Sequence, residues 1–284
     1  MKVSFLGLGV MGAPMAGHLS SAGLDVTVYN RTHAKAEDWA TRNDGEAEAD
    51  PAKAVADADI VLMCLGDDPD VAMIADGIVE AVRQGAVVVD HTTASPALAR
   101  NLHEQFAERG IGFIDAPVSG GQAGAENGAL SVMCGGDSAA MAVAEPVMDH
   151  YAKRIVHIGP AGHGQLAKAV NQICIAGVLQ GLAEGVHFAE TAGLDFERVL
   201  EAISGGAAQS WQMDNRAKTM AADEFDFGFA VDWMRKDLRI ALAEAREMGA
   251  RLPLAALVDQ YYGDVQAMGG GRLDTSSLVK RLRS

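Results

Sequence analysis

One lysine, Lys168, stands inside an otherwise small and apolar stretch, "GHGQLAKAVNQ" (residues 162–172), with Leu166, Ala167, Ala169 and Val170 around it and Asn171 three positions on. Helical spacing puts Lys168 and Asn171 on one face. Oxidising an alcohol by hydride transfer needs a group that takes the hydroxyl proton, and the reverse reduction needs one that returns it. Lysine suits that task when desolvation and a cationic neighbour lower its pKa towards neutrality. Asn171 is then placed to hydrogen-bond the reacting oxygen. A second stretch, "DAPVSGGQAGAENGALSVMCGG" (115–136), brings Ser119, Gly120 and Gly121 together as a hydroxyl and bare amides in one turn, suited to holding a carboxylate. Asp115, at a strand end with Pro117 following, reads as a turn-shaping residue. Lys236, in "MRKDLRIALAEA" ahead of an amphipathic run, reads on its own as a surface lysine. His91, His157, His163 and His187 have no partnered spacing and read as packing or surface residues. No His/Cys/carboxylate cluster has zinc-site spacing, so no metal site is expected.

A third chemical feature lies at the N-terminus. "GLGVMG" places Gly7, Gly9 and Gly12, with Leu8, Val10 and Met11 between them, directly after a strand and before a helical stretch. The first glycine permits a tight turn and the second lets a pyrophosphate approach the backbone. The third lets helix and strand pack closely, with the helix N-terminus facing the phosphates. This glycine spacing also explains an apolar opening that superficially imitates a signal peptide. An acidic residue at the end of the next strand would hold the ribose hydroxyls of NAD. That strand ends Asn30-Arg31-Thr32 instead, without a carboxylate, and Arg31 is suited to a 2′-phosphate. The reading leans to NADP over NAD.

These residues require particular elements to carry them. Strands are expected at 2–6, 25–29, 60–65, 86–90, 111–115, 130–134 and 155–158, with helices at 33–42, 69–83, 96–109 and 138–150. Alternation of Val/Ile-rich strands with helices implies a doubly wound α/β domain around a parallel sheet. Residues 162–191 run without proline, enough for a helix of roughly 45 Å. Helices at about 195–203, 211–222, 230–248 and 253–268 follow, with no convincing strand. The expected organisation is a Rossmann-type dinucleotide-binding domain over 1–161 and an all-helical domain over 162–284, joined by the long helix. Trp211, Phe227, Phe229 and Trp233 read as helical core or subunit contacts. The apolar faces of 230–248 and 252–262 exceed what one helical layer buries, so a homodimer or homotetramer is expected.

Composition narrows the partners. Apolar residues make up 49% of the 284 residues and charged residues 21%, enough for a sizeable core. A formal net charge of −15 argues against nucleic acid. Cys64, Cys134 and Cys174 are scattered, which fits free thiols in a reducing cytoplasm. No run of 18 or more apolar residues appears, so no membrane span is expected.

"GLGVMGAPMA", "DAPVSGG", "GHGQLAKAVNQ" and "RKDLRIAL" together resemble the β-hydroxyacid dehydrogenases in order and spacing, over essentially the whole chain. That family includes 3-hydroxyisobutyrate dehydrogenase and the tartronate, succinic and glyoxylic semialdehyde reductases. The resemblance implies an NAD(P)-dependent oxidoreductase acting on a short, carboxylate-bearing β-hydroxy acid or its semialdehyde. It makes Lys168 the catalytic lysine and puts Asn171 beside it, with Ser119, Gly120, Gly121 and Gln172 at the substrate. Thr93 in "DHTTASP", the loop at Leu65 and Gly66, and Lys236 are implied to face the cofactor. Dimers and tetramers packing through the helical domain are implied as well. Two positions depart from the commonest pattern: Leu65-Gly66 replaces Leu-Pro, and Asn171-Gln172 replaces Asn-Asn. An imine reductase shares this architecture, but its lysine position is typically altered. A non-catalytic dinucleotide-binding module would tend to lose the lysine and gain extra modules.

Overall fold

The computed structural model describes residues 1–283. The chain divides into two compact units, one over Met1–Lys168 and a second from Ala169 onward. In the first unit β1 (Lys2–Leu6), α1 (Gly12–Ser21), β2 (Asp25–Tyr29), α2 (His33–Arg42), β3 (Glu46–Ala47), α3 (Pro51–Val55) and β4 (Ile60–Met63) come first. They are followed by α4 (Asp68–Ile78), β5 (Val87–Asp90), α5 (Pro96–Ala107), β6 (Gly112–Asp115), β7 (Val118–Ser119) and α6 (Gly121–Glu126). Then come β8 (Leu130–Gly136), α7 (Ser138–Met148), β9 (Ala152–Gly159) and α8 (His163–Thr191), inside which the unit boundary falls.

The sheet order is β3-β2-β1-β4-β5-β6-β8-β7, with β9 also pairing β8. Strands alternate their side chains between two faces, and the sequence fills both. Val3, Phe5, Ile60, Leu62, Val87 and Val89 enter one buried cluster, while Leu6, Val61, Met63 and Val88 enter the other. Continuous apolar runs are what a sheet covered on both faces needs. Chain order reverses about β1, which lies between β2 and β4. The crevice outside the carboxyl ends of strands at such a point is where open α/β sheets take their ligands.

The expected parallel sheet holds over six strands, and the sheet becomes mixed only on the β8 side. β3 through β6 run parallel, but β8 is antiparallel to both β6 and β7. A parallel return needs a full crossover. Residues 116–129 are occupied instead by the two-residue β7 and the six-residue α6. A true crossover through α7 then makes β9 parallel to β8.

The second unit holds the remainder of α8 with α9 (Phe196–Ile203), α10 (Trp211–Ala221), α11 (Val231–Met248), α12 (Pro253–Ala267) and a 3-10 helix at Thr275–Leu282. Its core joins Ala176, Leu179, Ala183 and Val186 of α8 to Val231, Met234 and Leu238 of α11 and Val258 and Tyr262 of α12. By length and composition α8 is apolar enough to cross a bilayer. Ala176, Leu179, Ala183 and Val186 give it a buried stripe in this core, while Val170, Val178 and Phe188 are exposed. Trp211 and Trp233 are 55% and 41% exposed on the single chain, which corrects the helical-core half of their reading and leaves subunit contact as the other half. The rings instead meet cations: Arg216 lies over Trp211, and Lys236 lies 5.6 Å from the Trp233 ring centre.

Candidate active site

The turn between β1 and α1 is shaped by what its glycines lack. Gly7 adopts φ +100°, and a Cβ there would collide with the Cys64 carbonyl. A Cβ on Gly12 would collide with the Gly7 carbonyl. These two glycines are required by the fold, whereas a Cβ on Gly9 would have no protein atom within 4 Å. An open glycine flanked by two crowded ones leaves bare backbone accessible from outside, which fits the approach of a dinucleotide's pyrophosphate. The Leu8 amide is already engaged, donating to Asn30 Oδ1 at 3.0 Å, and Asn30 Nδ2 donates to the Thr32 carbonyl. Asn30 therefore braces the end of β2 against the turn. Leu65 donates its amide to Thr92 Oγ1 at 2.9 Å, and its side chain is crowded against Gly7, so the 64–66 loop joins the same turn. Val10 is exposed and Met11 occupies the N-cap of α1.

The start of α8 is held by a buried carboxylate. Asp115, fully buried at the end of β6, accepts from the amides of Gly162 (2.7 Å) and Gln165 (2.9 Å). It thus satisfies amide donors that a helix N-terminus leaves without intrahelical partners. Burial pushes its pKa up to about 7, against the lowering effect of the backbone amides it accepts from. Gln165, also buried, donates to the Thr92 carbonyl at 2.8 Å and accepts from the Ala94 amide at 3.1 Å. Thr93 lies between these two tethered residues. Beneath it, His91 contacts the Ala116 carbonyl through Nδ1 (2.7 Å) and the Tyr151 hydroxyl through Nε2 (2.8 Å). The carbonyl accepts only, so Nδ1 carries the proton and Nε2 accepts from Tyr151. Full burial drops the His91 pKa to about 4 and keeps the ring neutral.

On this seat Lys168 is 7% exposed, and its Nζ donates to the Val118 carbonyl at 2.9 Å. Val118 immediately precedes Ser119, so the amine sits beside the Ser119-Gly120-Gly121 turn. Gly120 and Gly121 take φ +132° and +61°, a region that favours glycine, and turn the chain from β7 into α6.

In the second unit a polar chain crosses from α8 to α11. Asn171 Nδ2 donates to Gln172 Oε1 (2.7 Å), and Gln172 Nε2 donates to Asp237 Oδ2 (2.6 Å). The other Asp237 oxygen lies 3.3 Å from Lys236 Nζ. Gln172, Lys236 and Asp237 are all buried. Lys236 lies inside α11 on its buried side, correcting its reading as a surface lysine ahead of the helical run.

Comparisons with known proteins agree with this geometry. Residues 2–159 match the family described as the NAD binding domain of 6-phosphogluconate dehydrogenase. Residues 162–282 match that described as NAD-binding of NADP-dependent 3-hydroxyisobutyrate dehydrogenase. The chain is 58% identical to an uncharacterized oxidoreductase of Shewanella frigidimarina, covering 99% of this chain and 98% of that protein. It is 35% identical to 2-hydroxy-3-oxopropionate reductase of Escherichia coli, covering 99% and 97%. The structure of Mycobacterium tuberculosis 3-hydroxyisobutyrate dehydrogenase with L-serine superposes with a TM-score of 0.90 at 32% identity, covering 100% and 99% of the two chains. The chain belongs to the 3-hydroxyisobutyrate dehydrogenase family. It is an NAD(P)-dependent oxidoreductase of the hydroxyacid dehydrogenase type, with NAD and NADP both admitted.

For this family member, sequence reasoning missed three supporting residues. Gln165 sits in the quoted lysine stretch, yet its partners lie 71 and 73 positions away. Asp237 follows Lys236 directly, and that adjacency was the available signal. Asp115 marks a turn by its place in the sequence, and its carboxylate also holds the head of α8.

Proposed function

We propose that Lys168 exchanges the substrate's hydroxyl proton as general acid/base while Asn171 hydrogen-bonds the reacting oxygen. The bound nicotinamide cofactor supplies or accepts the hydride. Ser119, Gly120 and Gly121 hold the carboxylate of a short β-hydroxy acid or its semialdehyde. The observation that carries this reading is the hydrogen bond from Lys168 Nζ to the Val118 carbonyl at 2.9 Å, which sets a buried amine one residue from that turn. Relatives support the substrate class. 2-Hydroxy-3-oxopropionate, in one relative's name, and L-serine, named with another's structure, are both small carboxylates bearing a hydroxyl. Gln172, whose amide is engaged by Asp237, steadies Asn171, and Lys236 approaches the nicotinamide end.

Residues 1–161 form the dinucleotide-binding domain in this reading, and 162–284 the substrate and oligomerisation domain. Gly7 to Gly12, Asn30 to Thr32, Leu65, Gly66 and Thr93 surround the cofactor. The absence of a carboxylate in Asn30-Arg31-Thr32 favours NADPH over NADH. Phe188 (71% exposed), Val170 (61%), Trp211 (55%) and Leu254 (52%) are large apolar side chains left open on a single chain. They support a homodimer or homotetramer, which light scattering at assay dilution would reject by showing a fully active monomer. Three cysteines that form no disulfide support a cytoplasmic location.

The test is Lys168→Ala. Turnover should fall about 10²–10⁴-fold, the span for a lost general acid/base, while dinucleotide affinity is retained. A variant keeping more than about a tenth of wild-type turnover lies outside that span and ends the assignment.

A further inference from the structure

Arg31 is exposed but paired. Its Nη1 lies 3.1 Å from Asp70 Oδ1, with the Arg31 side chain 80% exposed and that of Asp70 34% exposed. Asp70 occupies the first turn of α4, and Arg31 follows the end of β2. Because β2 and β4 flank β1, the ion pair joins the two sides of the crevice that opens at the glycine turn. Any dinucleotide lying on that turn with its adenosine ribose towards β2 meets this pair.

We propose that Asp70 sets the cofactor selectivity of the enzyme by competing with the 2′-phosphate of NADP for Arg31. The guanidinium can engage the phosphate fully only by leaving or sharing the carboxylate, and the carboxylate's own charge opposes a dianion brought beside it. NAD, whose ribose carries a neutral hydroxyl there, meets no such cost. Asp70 thereby weakens the preference that Arg31 creates and keeps both cofactors usable. The inference rests on Arg31 being the 2′-phosphate residue, the cofactor reading given above.

Calorimetric titration of the full-length protein with 2′,5′-ADP and with 5′-AMP reads this without turnover, in wild type, Asp70→Asn, Arg31→Ala and the double variant. An exposed ion pair contributes about 0.2–1 kcal/mol, so Asp70→Asn should bind 2′,5′-ADP about 1.4- to 5-fold more tightly. Its affinity for 5′-AMP should stay unchanged, and the gain should vanish when Arg31 is already alanine. An Asp70→Asn variant with unchanged discrimination overturns the proposal. So does a gain that persists in full without Arg31. A wild type that binds the two probes equally ends the NADP preference. In that case discrimination appearing in Asp70→Asn still supports Asp70 as its suppressor, and none appearing overturns it.

Discussion

The glycine turn and the seat of Lys168 both lie at the carboxyl ends of strands in one sheet, yet they are built from opposite materials. The turn works by absent side chains: Gly7 and Gly12 let backbone meet backbone, and Gly9 leaves space open. The seat works by buried polar side chains, with Asp115, Gln165 and His91 tying β6, the 91–95 loop and the head of α8 together. A site made of missing atoms binds through backbone amides and tolerates most changes that add no volume. A site made of buried hydrogen bonds fixes one side chain in one place and depends on every partner being present.

The largest effect should come from breaking the seat. Asp115→Ala removes the acceptor of the Gly162 and Gln165 amides. Each buried donor left unpaired costs about 1–3 kcal/mol, so a loss of about 2–6 kcal/mol is expected in urea unfolding, together with a fall in turnover. Unchanged stability would mean that the carboxylate is not what holds α8.

His91 sharpens the same side of the comparison through pH. Its pKa falls from 6.5 to about 4 on folding, so between those values the unfolded chain binds more protons and stability rises with pH. The contribution, about 3 kcal/mol, is complete above pH 6.5 and lost as pH falls through about 4. Asp115, raised from 3.8 to about 7, acts oppositely, stabilising most below pH 3.8 and losing that contribution as pH rises through about 7. Total stability therefore hides both. The difference between wild type and His91→Gln isolates the histidine, and it should grow in favour of wild type from pH 4 to 6.5. A difference independent of pH would contradict a neutral buried ring.

Smaller effects should separate the glycines. Gly12→Ala forces a methyl onto the Gly7 carbonyl and should cost about 1–3 kcal/mol, the range for overpacking. Gly9→Ala should change stability by less than about 0.5 kcal/mol but weaken dinucleotide binding. If both variants lost stability equally, the open space at Gly9 would not be reserved for a ligand.

The same contrast explains what could be read from the chain beforehand. The turn occupies six consecutive residues, and the strands before and after it are apolar runs, so both were legible. The lysine and the Ser119-Gly120-Gly121 turn were legible through their residue types. The seat was not, because Asp115 and Gln165 bond to partners 47 to 73 positions away, and no local pattern marks such pairs. The direction of β8 was hidden for a related reason. Apolar runs mark a strand, while its orientation depends on how 116–129 returns to the sheet. Lys236 was misjudged because charge suggested solvent, whereas the adjacent Asp237 lets it lie on the buried side of α11.

Everything in the seat serves the claim that Lys168 carries the proton, and chemical rescue tests that claim most directly. Lys168→Ala, first shown to bind NADPH as tightly as wild type, should regain turnover as small primary amines are added. Rescue should scale with amine concentration and follow amine basicity, as general acid/base catalysis requires. A variant that binds the cofactor normally but gains nothing from any amine small enough to enter would contradict the role assigned to Lys168.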